Sequence, residues 1–174
     1  MVRYVHHQFS AIIEAGVAAV VTAPVVFGVR GLPQVDSKTV FVALCLIGAI
    51  GFSGLLAVSF RSHWLGGQKN DFETAVPLTD PEAIVPTSRE SMRRSFNGSL
   101  VVSVALVSLV FGLLRDPWGI AWGLVFIPDR IVKGVYVFFW ERRHGILLWR
   151  GNVEEQPLGK GQFLYSSPRI ATLG

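Results

Sequence analysis

Residues 40–60 form an apolar run of 21 residues that contains no charged side chain. In an α-helix, which rises 1.5 Å per residue, such a run extends over about 30 Å, the thickness of the hydrocarbon core of a bilayer. Because lipid offers no partner to backbone N–H and C=O groups, a helix is the conformation that lets a single run cross it. The run therefore predicts a transmembrane helix and restricts the fold to helical membrane proteins.

Three further apolar runs, residues 10–29, 96–114 and 118–140, have a similar length. Charged residues make up 16% of the chain, whereas soluble domains usually contain about 25%. We therefore expect an all-α fold, an integral membrane four-helix bundle, with residues 1–174 as one transmembrane domain.

Two of these runs contain residues that are unusual in a span. The first run includes Glu14, and Pro24 near its end makes a poor cleavage context, so we interpret it as a retained span rather than a signal peptide. The fourth run includes Pro128 and is interpreted as a kinked span, since neighbouring helices can satisfy the backbone groups that proline frees. A half-helix followed by an interfacial segment is the alternative.

The polar segments are a loop at residues 61–95 and a tail at residues 141–174. Repeated prolines in the loop predict a partly ordered segment on the membrane surface, and a docking site for a partner is the alternative. In the tail, residues 146–149 and 162–165 are apolar enough to pair as a short hairpin. In the turn before the second run, Asp36 or Ser37 can cap the helix that follows.

The distribution of basic residues predicts the orientation of the spans. With four spans, both termini and the loop share one side, which holds eleven Lys and Arg residues, whereas the other side holds three. The eleven are Arg3, Arg61, Lys69, Arg89, Arg93, Arg94, Arg142, Arg143, Arg150, Lys160 and Arg169, and the three are Arg30, Lys38 and Arg115. Cytoplasmic loops carry such an excess. We therefore expect an N-in/C-in topology in a plasma membrane, and the ratio of 12 Arg to 4 Lys suits a bacterium with GC-rich DNA.

The net charge of +4 and the pI of about 9.6 favour membrane lipids as partners rather than nucleic acid. The basic residues flank the apolar runs, where they contact anionic headgroups and set topology.

Small residues recur at intervals of four in all four runs, and those of the third run are the pairs Ser99–Ser103 and Ser108–Gly112. In lipid, small side chains let helices approach closely, so these stripes predict helix packing within one bundle, with self-association as the alternative. The stripes are Ala15, Ala19 and Ala23 in the first run, Ala49, Ser53 and Ala57 in the second, and Gly119 and Gly123 in the fourth.

Ionisable residues inside a span are costly and are functional candidates. Glu14 and Lys133 fall at a similar depth under this topology, so we predict that Glu14 pairs with Lys133 or with Arg130. Such a pair would fix the first span against the fourth, unless Lys133 snorkels to the interface. The functional alternative is a proton or ion relay through Glu14 and Asp129, although Asp129 beside Pro128 can also bond backbone groups freed by a kink.

The four histidines, His6, His7, His63 and His144, all fall at the predicted inner boundary, where we expect them to be interfacial anchors. Their spacing matches no ligand pattern, and the single cysteine, Cys45, lies inside an apolar run, so we expect no metal. No histidine lies mid-span to hold a haem, and we expect no other cofactor.

The sequence contains no motif that points to an enzyme. It has no HExxH, no CxxC pair and no dinucleotide fingerprint, and Gly159-Lys160-Gly161 lacks the spacing of a phosphate loop. We therefore expect a non-catalytic accessory or assembly subunit of a larger membrane complex, in contact with other membrane subunits or with a second copy. The alternative is a subunit of a small oligomeric transporter or channel that uses the intramembrane charges, and a membrane enzyme has the least support.

Overall fold

The computed structural model describes residues 1–60 and 68–169, and over these the chain is mostly helical, at 69%. The predictions for Arg61 and His63 lie outside the described residues. In chain order the α-helices are α1 (Tyr4–Arg30), α2 (Ser37–Ser59), α3 (Lys69–Glu73), α4 (Pro81–Ile84), α5 (Ser88–Ser95), α6 (Gly98–Leu114) and α7 (Ile127–His144), with a 3₁₀ helix (Pro117–Phe126) before α7.

Within the described part of the chain, three helical segments are long and apolar enough to cross a membrane. These are α1, α2 and the segment Ser88–Leu114. They contain the apolar runs 10–29 and 96–114, and all of the run 40–60 except Phe60. Helix α1 begins six residues before its apolar run, at Tyr4, because Tyr4, Val5 and Gln8 are buried and extend its packing.

The starts of α2 and α6 are fixed by side-chain caps. Asp36 supplies the cap of α2, where its Oδ1 accepts a hydrogen bond of 2.8 Å from the backbone N–H of Thr39. Asn97 caps α6, and its side-chain oxygen accepts from the backbone N–H of Ser99 at 3.1 Å. In both cases the acceptor satisfies an N–H group that the first helical turn leaves without a partner.

The fourth apolar run is divided between two kinds of helix. Its first part belongs to the 3₁₀ helix Pro117–Phe126, and its remainder belongs to α7, which starts at Ile127 immediately before Pro128. Proline has no N–H to donate and is well tolerated in the first turn of an α-helix. The proline that the sequence places at a kink therefore lies at the change from one helix type to the other.

A four-stranded sheet corrects the expectation of an all-α fold. Its strands are β1 (Val2–Arg3), β2 (Val76–Pro77), β3 (Ile146–Arg150) and β4 (Tyr165–Pro168), in the order β1-β3-β4-β2. Strands β3 and β4 are antiparallel, with Trp149 opposite Tyr165, and β4 pairs with β2 in parallel. Of the predicted hairpin partners, residues 146–149 lie in β3, but residues 162–164 precede β4. Residues 146–149 therefore pair with residues 165–168 rather than with 162–165.

The chain divides into two compact units. Unit 1 contains Met1–Gln8, Leu55–Ser95 and Lys133–Gly174, and unit 2 contains Phe9–Gly54 and Phe96–Val132. Unit 1 holds the whole sheet and a small apolar core around Leu78, Trp149 and Tyr165.

The segment predicted as a surface loop contributes to the interior of unit 1. Phe72 of α3 is 1% exposed, and its ring lies 5.6 Å from that of Tyr4 and 5.7 Å from that of Trp140. The Tyr4 hydroxyl donates a hydrogen bond of 2.6 Å to Gln68 Oε1. These contacts anchor α3, because aromatic rings at such distances attract each other and this attraction adds to the free energy gained by burying their apolar surface.

Candidate functional site

Unit 1 contains a buried ion pair between Arg3 and Glu141. Glu141 is completely buried, and its Oε2 accepts a hydrogen bond of 2.5 Å from Arg3 Nη2. Its other oxygen, Oε1, accepts one of 2.9 Å from the backbone N–H of Leu148 in the middle of β3. A buried carboxylate needs such partners because moving an isolated charge from water into the protein interior costs on the order of several kcal/mol.

Ser91 and His6 extend this polar cluster. The backbone N–H of Arg3 donates a hydrogen bond of 2.7 Å to Ser91 Oγ, and the same oxygen lies 3.0 Å from His6 Nδ1. Ser91 is fully buried in the middle of α5 and lies opposite β1, so its hydroxyl serves as a hydrogen-bond partner for the backbone of the strand. The cluster therefore ties together the start of α1, the middle of α5 and the end of α7.

In unit 2, the buried carboxylate of Glu14 lies at the start of α6. Glu14 is 2% exposed, and its Oε1 accepts a hydrogen bond of 2.6 Å from the backbone N–H of Asn97, the residue that caps α6. A negative charge at a helix N-terminus is favourable because the unpaired N–H groups there carry partial positive charge. Glu14 thus has a backbone partner that the sequence did not indicate.

The other three predicted charges lie on α7. Asp129 is in its first turn, Arg130 and Lys133 follow, and all three are half-buried and have interaction partners. Lys133 belongs to unit 1, whereas Glu14 and Arg130 belong to unit 2. Pairing of Glu14 with Lys133 or Arg130 stays a prediction, as does a relay through Glu14 and Asp129.

Helices α2 and α7 come close together at Gly54 and Asp129 in unit 2. A Cβ atom on Gly54 would lie 2.8 Å from Asp129 Oδ1 and 3.1 Å from Asp129 Cα. Only a glycine fits at this distance without displacing Asp129, so Gly54 is the residue that lets α2 reach the first turn of α7.

The predicted packing residues differ in exposure. Ala15 and Gly123 are buried, Ala19, Ala23, Ala57 and Gly119 are half-buried, and Ala49 and Ser53 are exposed. A Cβ on Gly119 would overlap the backbone of Gly112 in α6, and one on Gly123 would overlap Val104. Gly119 and Gly123 therefore both pack against α6 of the same chain, whereas Ala49 and Ser53, the first two residues of the stripe on α2, are exposed.

The described histidines have separate partners. His6 adjoins Ser91, His7 Nε2 lies 3.1 Å from Arg150 Nη1, and the ring of His144 stacks on Trp140 at 4.1 Å. Among residues 1–60 and 68–169, no group of three or more His, Cys, Asp and Glu side chains could hold a metal ion. The expectation that the chain binds no metal or other cofactor stays an expectation.

Sequence reasoning missed the Arg3–Glu141 pair and the Glu14–Asn97 hydrogen bond. Arg3 and Glu141 each stand beside an aromatic residue at the end of a helical run, which is also where solvent-exposed anchoring charges occur, so the pattern alone does not separate the two roles. The acceptor role of Glu14 was hidden because its partner is a backbone N–H, which every non-proline residue carries.

No protein-family model, no curated protein and no solved structure matches this chain.

Proposed function

We propose that this chain is a non-catalytic accessory or assembly subunit of a larger complex in a bacterial plasma membrane. In this proposal four spans, at residues 10–29, 40–60, 96–114 and 118–140, place both termini in the cytoplasm. The observation that carries it is the exposed outer face of α2.

Helix α2 makes little use of its surface within the chain. In the most apolar stretch of 18 residues of α2, 6% of the residues are buried, compared with 28% in the corresponding stretch of α1. The exposed side includes Cys45, Gly48, Ala49 and Ser53, which are small residues on one side of the helix, opposite Gly54. Lipid solvates large apolar side chains as well as small ones, whereas another helix gains contact area from small ones.

Gly48 is the most informative residue of this outer face. A glycine inside a helix costs roughly 1 kcal/mol relative to alanine. Gly54 has a neighbour that explains the cost, but no described atom lies within 4 Å of a Cβ placed on Gly48. Gly16 and Gly28 of α1 have the same open space, so the support for a subunit role comes from the small exposed residues around Gly48, which would let a helix of another protein approach closely.

Two features support a fourth span. Ten residues of 3₁₀ helix rise about 20 Å, and residues 127–140 of α7 add about 20 Å, so together they exceed the hydrocarbon thickness of about 30 Å. The excess of basic residues in the N-terminus, loop and tail supports cytoplasmic termini.

The test of subunit function is purification of the tagged, full-length chain in a mild detergent, followed by native electrophoresis and mass spectrometry. We expect a stoichiometric membrane partner, and Gly48→Leu should remove it. Gly28→Leu is the matched control, because Gly28 on α1 is also exposed and also has no described atom within 4 Å of its Cβ position. A chain that migrates alone, or a partner lost equally from both variants, would contradict the proposal.

The alternative function, a small oligomeric transporter or channel, gives a different result in the same preparation. It requires a homo-oligomer and a pH-dependent flux in sealed vesicles that Glu14→Gln removes. The hydrogen bond from the Asn97 N–H to Glu14 favours a structural role for Glu14. Glu14→Gln should keep that bond, because the side-chain oxygen of Gln can also accept it.

The topology is tested with single cysteines in sealed vesicles. In a Cys45→Ala background, Gln34→Cys in the turn before α2 and Glu154→Cys in the tail both place a thiol at an exposed position. A membrane-impermeant maleimide should label them from opposite faces, with Glu154→Cys reached from the cytoplasmic face. Labelling of both from the same face contradicts the proposed topology.

A further inference from the structure

Unit 1 contains a cavity of about 400 Å³ whose polar wall is basic. Arg3, His6, Ser88 and Arg169 contribute to the wall, and Leu147 and Trp149 supply part of its apolar lining. Among the described residues, no acidic side chain lines the cavity. The volume is within the range of cavities that take small molecules, and the mixed lining is typical of such sites.

Arg3 has a donor that the protein does not use. Its Nη2 donates to Glu141, but its Nε is buried and has no hydrogen-bond partner among the described residues. A buried donor left without an acceptor costs roughly 1–3 kcal/mol. Nε lies beneath the wall, so the contact that Arg3 can offer to a ligand comes from the rest of its side chain, which is 20% exposed and lines the cavity. The guanidinium presents its donors in one plane, which suits the oxygens of a phosphate.

Arg169 supplies a second positive charge at the wall. It follows β4, and its backbone N–H donates to Gly145 O at 2.9 Å, which fixes the position of its Cα. Its side chain is exposed, and Glu141 is engaged by Arg3 and Leu148 rather than by Arg169. The cavity therefore carries net positive charge even though Arg3 is neutralised by Glu141.

The cavity adjoins the first residues of two candidate membrane spans. Arg3 immediately precedes α1, His6 lies in the first turn of α1, and Ser88 is the first residue of the segment Ser88–Leu114. The ends of membrane helices lie at the level of lipid headgroups, and basic pockets at that level bind anionic lipids.

From the basic wall, the lack of an acidic side chain among the described lining residues and this position, we propose that the cavity binds a phosphate group, with an anionic phospholipid as its source and Arg3 and Arg169 as its cationic contacts. The Ser88 hydroxyl is a further donor at the wall. The apolar lining, which includes Leu147 and Trp149, would contact the glycerol and first acyl carbons.

The test measures thermal unfolding of the full-length chain in an uncharged maltoside detergent. Dioleoyl phosphatidylglycerol, dioleoyl phosphatidylcholine and inorganic phosphate are added separately. A ligand that binds the folded state at about 100 times its Kd should raise the midpoint by about 5 °C or more. Arg169→Gln should lose most of that shift while unfolding normally without lipid, and Ser88→Glu, which adds a carboxylate to the wall, should lose it as well.

Arg143→Gln is the matched control, because Arg143 is an exposed arginine at the end of α7 that does not line the cavity. It should keep the full shift. A shift with phosphatidylglycerol alone identifies the phospholipid as the source, and an equal shift with inorganic phosphate identifies a soluble phosphate. The absence of any shift, an equal shift with phosphatidylcholine, or a shift that Arg169→Gln leaves unchanged would overturn the proposal.

Discussion

Arg3 and Glu141, which are 138 positions apart in the sequence, form an ion pair with an N–O distance of 2.5 Å in the interior of unit 1. The pair joins β1 to the last turn of α7, and the second oxygen of Glu141 extends the connection to β3 through Leu148. One carboxylate therefore holds three elements of unit 1, and its removal affects all of them.

The first prediction concerns the burial of this pair. Glu141→Ala should lower the free energy of unfolding by about 3–5 kcal/mol, because it leaves Arg3 and the Leu148 N–H without their acceptor. Glu90→Ala is the control, because Glu90 pairs with Arg94 at the same distance but their side chains are 46% and 53% exposed. Its cost should stay below about 1 kcal/mol. Thermal or denaturant unfolding measures both variants. Equal losses in the free energy of unfolding would show that burial of the pair does not determine its contribution to stability.

The second prediction separates the hydrogen bond that Glu14 accepts from its charge as the source of stability. Glu14→Leu removes the acceptor of the Asn97 N–H and should cost about 1–3 kcal/mol. Glu14→Gln keeps an oxygen in the same place and should unfold much closer to the unsubstituted chain. Denaturant unfolding in detergent measures both variants. If Glu14→Gln were as unstable as Glu14→Leu, the charge rather than the hydrogen bond would be the stabilising feature.

The third prediction concerns two glycines with opposite surroundings. A Cβ on Gly119 would lie 2.5 Å from Phe111 C in the backbone of α6, whereas no described atom lies within 4 Å of one on Gly16. Gly119→Ala should therefore destabilise the chain by about 1–3 kcal/mol through overpacking. Gly16→Ala should stabilise it by about 0.5–1 kcal/mol, because alanine is the better helix former. Unfolding midpoints in the same detergent check the sign of each change, and a gain for Gly119→Ala would contradict the contact.

The fourth prediction concerns the cap of α2. Hydrogen bonds from the Thr39 hydroxyl and then from its backbone N–H hold the pKa of Asp36 below its ordinary value of 3.8. Because the folded chain favours the carboxylate, Asp36 stabilises it above pH 3.8, and this contribution is lost as the pH falls through the lower pKa of the folded state.

Carboxyl chemical shifts followed by NMR during an acid titration measure this pKa. Thr39→Val should raise the pKa of Asp36 towards 3.8, because it removes the hydroxyl donor, whereas Thr39→Ser should leave it low. An unchanged pKa in Thr39→Val would exclude the hydroxyl as the main cause.

The long helices could be predicted from the sequence because their signal is local. The bounds of the run 40–60 are within three residues of those of α2, and the run 96–114 ends where α6 ends. The starts were less accurate, since α1 extends to Tyr4 through polar residues that find partners elsewhere in unit 1. The 3₁₀ helix was missed because its conformation accompanies the close approach of Gly119 to Gly112, which no local pattern records.

The sheet and the polar cluster could not be predicted for a different reason. Strands β1 and β2 contain two residues each, which is too short for an alternating pattern to appear. Their partners lie in the tail, and Arg3, Ser91 and Glu141 are likewise far apart in the sequence. Contacts of such sequence separation depend on the whole fold rather than on any segment.

The order of strands in the sheet has a consequence for biosynthesis. Strand β4 lies between β3 and β2, yet it is the last of the four to leave the ribosome. Domains otherwise begin to fold from the N-terminal side while synthesis continues. Here β2 must wait without its parallel neighbour until residue 168 has been made, by which time all four apolar runs, the last of which ends at residue 140, have been synthesised. The complete sheet therefore assembles only after the apolar part of the chain has been made.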